Sequence, residues 1–314
     1  MSTTNFSGGR TQGKTFQGLY CSPPLVDVLQ ESNIFSFIIY ILLSITAFLG
    51  NFLILVALHK ESSLHPPSKL LYRCLATTDL LVGLVCQPLY ATVWISAVQE
   101  HWGLCRYAYG AAKITAIALC GVSLMTITAI SVDRILALLL GLRYRQIITL
   151  KRTYIIVATF WIAPSVAALC FLLDYRITMW YGIIIMPSCL VISVASYIKF
   201  FWGLSHHRAQ VQDHVQQQPS QPNALNMARY KKAVYSALWV QLALVACYAP
   251  YFLVTIVEAF CKTDSSHFIV IKGVASVLVF FNSTLNPVLY CWKISEVRQA
   301  VKQTIRQALC CPWS

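Results

Sequence analysis

The residues of this 314-residue chain that are best suited to do chemistry lie in its last long apolar stretch, which ends with Asn282-Ser283-Thr284-Leu285-Asn286-Pro287-Val288-Leu289-Tyr290. Two amides, two hydroxyls, a proline and a phenol interrupt an otherwise apolar run. Proline removes a backbone hydrogen bond and kinks a helix, and polar side chains in an apolar span need partners inside the protein. The cluster therefore predicts a functional hinge within a helix, rather than a loop beside a helix end.

A carboxylate, Asp79, lies within a second apolar stretch. A charge at the centre of a bilayer costs about 2.5–3.5 kcal/mol on insertion scales, unless it is paired or coordinates an ion. We therefore expect polar side chains from other parts of the chain to surround Asp79.

The elements that must position these residues are membrane-spanning helices. With 57% hydrophobic and 11% charged residues, the chain is too apolar for an average soluble domain. About 20 apolar residues in a helix cross a bilayer core, and seven such stretches fill most of the sequence. They are predicted at Ile34–Leu58, Leu70–Ala97, Arg106–Leu139, Tyr154–Leu173, Met179–Gly203, Ala233–Phe260 and Phe268–Trp292. The predicted fold class is an all-α membrane protein with a seven-transmembrane helix bundle.

The net charge of +13 is distributed in a way that indicates orientation rather than nucleic-acid binding. Basic residues with few acids follow the third, fifth and seventh stretches, whereas the opposite connections are nearly balanced. Because lysine and arginine mark the cytoplasmic side, we predict an extracellular N-terminus and a cytoplasmic C-terminus. The basic residues concerned are Arg143, Arg145, Lys151, Arg152, Lys199, Arg208, Arg229, Lys231, Lys232, Lys293, Arg298, Lys302 and Arg306.

Short motifs occur in a fixed order, each in its own span. They are Gly50-Asn51, Leu75-Ala76-Thr77-Thr78-Asp79, Asp133-Arg134-Ile135, Trp161, Pro250 and Asn286-Pro287-Val288-Leu289-Tyr290. Together they resemble the rhodopsin-like (class A) family of G-protein-coupled receptors over nearly the whole chain, with a weak likeness to the melanocortin and lysolipid receptors. The resemblance implies a multi-pass plasma-membrane protein with three partners: a heterotrimeric G protein, an extracellular ligand and the lipid bilayer. No nucleic-acid partner is expected.

The resemblance also implies a domain order. Residues 1–33 form an extracellular tail, residues 34–292 the bundle, and residues 293–314 a short amphipathic eighth helix with a cytoplasmic tail. Ile294, Val297, Val301, Ile305 and Leu309 recur at helical spacing, which is typical of a helix lying on a membrane surface. Cys310 or Cys311 would then be palmitoylated. In the outer tail, Asn5 begins an N-glycosylation sequon.

G-protein coupling is assigned by this resemblance to Asp133, Arg134 and Tyr290. The Arg134 guanidinium is expected to be held by Asp133 at rest and released toward the G protein when the sixth span moves outward. Two departures from the family pattern predict a looser clamp. Ile135 replaces the usual tyrosine, and Tyr230-Lys231-Lys232 stands where an acid often occurs. We therefore predict signalling without ligand.

Five residues match the family's sodium site, namely Asp79, Ser123, Asn282, Ser283 and Asn286. All carry oxygen, as a hard cation requires, and the ion would stabilise the resting state. A purely structural hydrogen-bond cluster is the alternative. No other cofactor is expected.

The activation switch is expected at Tyr248, Pro250, Asn286 and Pro287. Tyr248 replaces the tryptophan that usually precedes the sixth-span proline by two residues. A phenol is smaller than an indole and needs a hydrogen-bond partner when buried. The register of the fifth span stays open, because Pro187 and Tyr197 do not have the family's usual mutual spacing.

The ligand is constrained mainly by exclusion. Ala116 stands where amine receptors carry an aspartate, and Phe280 stands where visual pigments carry the retinal lysine. Ligand-binding residues are predicted to be Lys113, Ala116, Cys120, Glu258 and Lys272. Lys113 would face the cavity, where it binds a ligand carboxylate or phosphate or pairs with Glu258. A peptide and an anionic lipid or small molecule both agree with this pattern.

Three cysteines, Cys21, Cys105 and Cys261, are predicted on the oxidising outer face, and three cannot all pair within one chain. The family's usual bridge is absent, since Tyr109 occupies its third-span position. We prefer a Cys21–Cys261 bridge, with Cys105 bonded to either as the alternative.

Two other classes of protein remain as alternatives to a receptor. A seven-span transporter or channel would need inverted repeats or broken helices that meet at the midplane, and the sequence has neither. An enzyme would need a metal-spaced His/Cys set, a phosphate loop or a nucleophile triad, and none is recognisable.

Overall fold

The computed structural model describes residues 21, 23–60, 64–215, 223–261 and 266–293, together with 298, 299, 301, 302, 305 and 306. Seven long helices make up most of this part. They are α1 (Pro23–Lys60), α2 (Pro66–Val98), α3 (Trp102–Leu140), α4 (Leu150–Leu173), α5 (Tyr175–Val215), α6 (Asn223–Phe260) and α7 (Ser266–Lys293).

Each helix contains an apolar segment long enough to cross a membrane. These segments run from Ser32–Lys60, Pro66–Val98, Trp102–Ala137, Leu150–Leu173, Tyr175–Trp202, Trp239–Phe260 and His267–Leu289. The prediction of an all-α, seven-span membrane protein is thus confirmed, with most boundaries shifted by a few residues. The eighth helix stays a prediction, although the six described residues beyond Lys293 are helical and Val301 packs against the core.

Helix α3 lies at the centre of the bundle, packed against α2, α4 and α5, while α7 packs against α1 and α6. Large apolar side chains such as Leu173, Trp202 and Phe260 remain exposed on the outside. An apolar exterior is stable in hydrocarbon but not in water. This distribution agrees with a lipid-surrounded bundle whose polar residues point inward.

A π-helical turn interrupts α2 at Val82–Cys86. Such turns disturb the regular i→i−4 hydrogen bonds, and Ser44 of α1 donates a hydrogen bond to the Gly83 carbonyl over 2.7 Å. A side chain at residue 83 would come within 2.8 Å of the Phe48 backbone nitrogen. Glycine is therefore required here by the close approach of α1 and α2.

The connections at the two ends of the bundle are short. At one end, a single residue, Asp174, separates α4 from α5. At the other end, α3 stops at Gly141, whose φ of +49° suits glycine, and a helical turn, Tyr144–Ile147, leads toward α4. We name the first the disulfide end and the second the arginine end, after residues described next.

The disulfide joins Cys21 to Cys105, not to Cys261 as preferred from the sequence. Cys21 and Cys105 are completely buried in an apolar cluster with Val93 and Ile269, and their Cα atoms are 5.9 Å apart. This separation is typical of disulfides. Cys261 follows the last turn of α6 and is exposed. The sequence could place all three cysteines at one end but could not show which helix end the N-terminal segment contacts.

Candidate functional site

The Asp79 carboxylate forms the centre of a polar network between α2, α3 and α7. It is fully buried and accepts hydrogen bonds from Ser123 (3.0 Å), Ser283 (2.9 Å) and the Asn286 amide (2.7 Å). Charged acceptors form stronger hydrogen bonds than neutral ones. Three donors from two other helices thus compensate much of the cost of burying this group.

The fourth predicted partner, Asn282, does not reach the carboxylate. Its side-chain nitrogen is buried and has no hydrogen-bond partner within the described residues. Asn51 of α1 joins the network from the other side, because its amide donates to the Ser283 backbone carbonyl over 3.0 Å. The network therefore connects α1, α2, α3 and α7.

The residues around Asp79 fit the chemistry of a small hard cation. One carboxylate and two hydroxyl oxygens converge there, and these are ligands that such ions prefer. No lysine or arginine of the described residues lies within 4 Å of Asp79 to neutralise it. Among the described residues there is also no cluster of His, Cys, Asp and Glu suited to a transition metal.

A large cavity opens between the helices toward the disulfide end. It has a volume of about 1050 Å³, including the part open to solvent. Side chains from α2 to α7 line it, and most are apolar or aromatic. Lys113, Ala116, Cys120 and Glu258, four of the predicted ligand-binding residues, are among them. Concave, mainly apolar sites with a few polar groups are typical of ligand pockets.

Tyr248 lies on the inner wall of this cavity. Its ring is buried and lines the cavity, and it belongs to the same buried apolar cluster as Leu124, the α3 residue next to Ser123. Tyr248 lies two residues before Pro250, the proline inside α6. A ligand that displaces this ring would thus act on α6 close to its proline and on the packing of α6 near α3.

A charged group lies at the disulfide end of the cavity. Lys272 of α7 and Glu258 of α6 form an ion pair with a 2.6 Å N–O distance, and both side chains are at least nine-tenths buried. Tyr175 of α5 donates to the second Glu258 oxygen over 2.6 Å. Both carboxylate oxygens are therefore engaged. Lys272 lies outside the main cavity and lines a small neighbouring one.

Lys113 borders both cavities. Its ammonium lies 5.6 Å from the centre of the Tyr109 ring, within cation–π range. The pairing of Lys113 with Glu258, which was the structural alternative, is not observed within 4 Å, because Lys272 occupies that place. Among the described side chains, Lys113 therefore has an aromatic neighbour but no carboxylate within 4 Å.

At the arginine end, Asp133 and Arg134 have separate partners. Asp133 accepts hydrogen bonds from Ser68 (2.8 Å) and Tyr144 (2.5 Å). Arg134 donates to the Tyr72 hydroxyl over 2.5 Å and lies over its ring. The prediction of an Asp133–Arg134 ion pair is wrong for this structure, since no nitrogen of Arg134 lies within 4 Å of an Asp133 carboxylate oxygen. The two side chains leave α3 in different directions and meet different elements.

Tyr144 is the one member of this cluster outside the membrane segments. Burial and the hydrogen bond to Asp133 raise the pKa of Tyr144 to about 12. Its hydroxyl therefore keeps its proton at physiological pH and continues to donate to the carboxylate.

Sequence reasoning missed Ser68, Tyr72, Tyr144 and Tyr175. Helical spacing could have indicated Ser68 and Tyr72, because residues four apart at the start of α2 lie on the same face of the helix. No comparable signal marked Tyr144 or Tyr175, because each lies directly after a short connection between two helices, where helical periodicity gives no information. Several predicted sites lie outside the described residues: Asn5, Cys310, Cys311 and the Tyr290 side chain.

A ligand-sized cavity at one end, an arginine cluster at the other and a buried polar network between them define a seven-helix membrane receptor. The chain matches the sequence model of the 7 transmembrane receptor (rhodopsin family) over residues 50–178 and 171–290, and it belongs to this family. Members are receptors rather than enzymes, and the assignment implies a multi-pass plasma-membrane protein.

Individual relatives are distant. Human melanocortin receptor 5 is 25% identical over 295 residues, an alignment that covers 87% of this chain and 83% of the relative. Chimpanzee melanocortin receptor 5 gives the same values.

Proposed function

We propose that this receptor binds an extracellular, non-aminergic ligand in the large cavity and activates heterotrimeric G proteins by outward movement of α6. The disulfide end then faces outward, since disulfides persist in oxidising compartments. The excess of lysine and arginine beyond the third, fifth and seventh spans supports a cytoplasmic arginine end. The N-terminus is accordingly extracellular and the C-terminus cytoplasmic.

The observation that carries the ligand assignment is the charge around Lys113. Glu258 is already engaged by Lys272 and Tyr175, and within the described residues no carboxylate lies within 4 Å of the Lys113 ammonium. Leaving a partly buried charge uncompensated is costly. A ligand carboxylate or phosphate at Lys113 would supply the missing negative charge. The ligand is thus an acidic peptide or an anionic lipid or small molecule.

The apolar lining determines the rest of the ligand. Below Lys113, the wall formed by Ala116, Cys120 and Tyr248 carries no charge. An apolar group in this region gains about 25 cal/mol per Å² of surface removed from water. The ligand therefore combines an acidic group with a hydrophobic part that reaches Tyr248.

Signal transfer would proceed from Tyr248 to α6 and α7. Movement of the ring would alter its packing in the buried cluster that contains Leu124 and the hinge at Pro250. It also alters the hydrogen bonds of Asn286, which precedes the second hinge, Pro287. A sodium ion would be held by Asp79, Ser123 and Ser283, where it would supply a counter-charge that stabilises the resting arrangement.

Arg134 is the proposed contact for the G protein. Its Nη2 is bonded to Tyr72, but its Nε is buried without a partner within the described residues. A donor of this kind is available to a new acceptor once α6 moves away. Palmitoylation at Cys310 or Cys311 and glycosylation at Asn5 are proposed as modifications of the two tails.

The proposal is tested with G-protein dissociation sensors of every class in cells that express the receptor. The probes are melanocortin peptides, acidic peptides, fatty acids and lysophospholipids. We expect an acidic probe to activate the wild type, Lys113→Ala to lose the response at equal surface expression, and Arg134→Ala to stay silent. Activation only by uncharged probes would contradict the ligand assignment. Ion flux in oocytes without any sensor response would indicate the channel alternative.

A further inference from the structure

A buried polar cluster joins α3, α5 and α6 between the cavity and the arginine end. It consists of Ser131 on α3, Ser193 on α5 and Gln241 on α6, and we call it the serine–glutamine latch. Ser193 donates a hydrogen bond to Gln241 Oε1 over 2.6 Å, and its oxygen lies 3.1 Å from the Ser131 hydroxyl. Neither the proposed ligand site nor the Asp79 network includes these residues.

Two of the three latch residues are shielded from the surroundings, and Ser131 is partly buried. Ser193 is completely buried and Gln241 is 7% exposed. In such surroundings a polar group without a partner costs more free energy than one in water. The three side chains therefore hold together the helices that carry them.

The position of Gln241 on α6 suits a holding contact. It precedes Pro250 by nine residues, roughly 13 Å along a helix. A helix that swings about a proline hinge moves most at points far from the hinge. Outward movement of α6 would therefore draw Gln241 away from Ser193. In the observed arrangement, α6 packs on α5 and α7, and Leu244 of α6 belongs to the same buried cluster as Ile130 of α3.

The latch also lies close to the coupling residue. Ser131 precedes Arg134 by three residues, about one helical turn. The base of α6 contains Tyr230-Lys231-Lys232, which offers no carboxylate to Arg134. A hydrogen bond between neutral side chains, located between the arginine end and the cavity, can take the place of an ion pair between Arg134 and α6.

We propose that Gln241 is a positioning residue that holds α6 in the resting arrangement through Ser193 and Ser131. This inference rests on the proposed outward movement of α6 and concerns its regulation. Loss of one hydrogen bond present only in the resting state shifts a two-state equilibrium by roughly two- to ten-fold. Ligand-independent activity should rise by this factor.

Substitutions at Gln241 and Ser193 test the latch. We expect Gln241→Leu and Ser193→Ala each to raise ligand-free nucleotide exchange per surface receptor by roughly two- to ten-fold. The double variant should exceed neither single variant by more than about 1.5-fold, because both remove the same contact. Ser193→Cys, a weaker donor of similar shape, should give an intermediate value.

Misfolding does not mimic this result, because an unfolded receptor loses activity. Gln241→Leu should also fold, since the Gln241 nitrogen is a buried donor without a partner in the described residues, and leucine removes it. Ser188→Ala is the matched control, as the Ser188 hydroxyl bonds only to the Ile184 carbonyl of its own helix in the contacts observed. Unchanged or lowered basal activity in the latch variants, or strictly additive effects, would overturn the proposal.

A measurement without a G protein separates the latch from the proposed coupling. Nitroxide labels are attached to cysteines introduced as Lys151→Cys on α4 and Trp239→Cys on α6, two exposed positions. Cys261, Cys310 and Cys311 are replaced by serine so that they are not labelled. Pulsed electron resonance should show a larger long-distance population in Gln241→Leu than in the parent. If no variant engages any G protein but the distances shift, the latch stands and the proposed coupling fails. Identical distance distributions refute the latch.

Discussion

At the scale of residues, the protein compensates each charge buried in its bundle differently. Asp79 is bound by neutral donors, Glu258 by a lysine and a phenol, and Asp133 by two hydroxyls. Only the Glu258 pair is a direct ion pair within the described residues. The difference predicts different responses to substitution and to added ions.

Asp79 should bind sodium. A ligand that binds only the native state raises stability by RT ln(1 + [L]/Kd), so replacing choline chloride by about 150 mM sodium chloride should raise the unfolding temperature of the purified receptor. Asp79→Asn removes the negative charge and should abolish this rise. Thr126→Val is the control, because the Thr126 hydroxyl contacts the Val122 carbonyl and Cys74 but not Asp79. Equal sodium responses in the wild type and Asp79→Asn would disprove the ion site.

The Lys272–Glu258 pair should be needed for stability, whereas Lys113 should be needed for the ligand. Removing one member of a buried pair leaves an uncompensated charge and costs about 3–5 kcal/mol. We expect Lys272→Met to lower the unfolding temperature strongly, and the Lys272→Met/Glu258→Gln double variant to recover part of the loss, because Glu258 is then no longer an unpaired charge. Lys113→Met should not lower it, because methionine removes a partly buried charge that has no carboxylate within 4 Å among the described residues. A thermal-shift assay in detergent decides this, and equal losses in Lys272→Met and Lys113→Met would contradict it.

At the scale of elements, sequence patterns predicted the seven helices because a bilayer imposes one length and one composition on each of them. They also placed Asp79, Ser123, Ser283 and Asn286 in one network, although the contact with Asn282 is absent. Side-chain direction was not predictable in the same way. Arg134 meets Tyr72 instead of Asp133 because of how α2 packs on α3, and periodicity within one helix cannot show this.

Close packing of α1 on α2 should depend on Gly83. A Cβ atom there would lie 2.8 Å from the Phe48 nitrogen and 3.0 Å from the Ser44 carbonyl oxygen. Backbone atoms cannot yield as a flexible side chain can, so overpacking should cost about 1–3 kcal/mol or more. Gly83→Ala is expected to lower both surface expression and unfolding temperature. Gly182→Ala is the matched control on α5, where nothing lies within 4 Å, and similar losses in the two variants would argue against this account.

At the scale of the whole molecule, the two ends of the bundle are closed by different means. The arginine end is held by polar contacts around Asp133 and Arg134. At the disulfide end, the one-residue connection between α4 and α5 provides no covering loop, while the disulfide holds Cys21 against α2, α3 and α7. Within the described residues, covalent cross-linking at this end is thus confined to the side of α2, α3 and α7.

The Cys21–Cys105 bond should therefore control the stability of the ligand-binding end. Removing a native disulfide that closes a long loop typically costs about 2–5 kcal/mol, and here 84 residues separate the two cysteines. Cys105→Ser should lower the unfolding temperature. A reducing agent should lower the unfolding temperature of the wild type but should have no further effect on Cys105→Ser. Cys261→Ser should do neither, because Cys261 is exposed and not bonded to Cys21. Peptide mapping without reduction checks the disulfide directly. A fragment that links Cys21 to Cys261 instead of Cys105 would show that the assigned pairing is wrong.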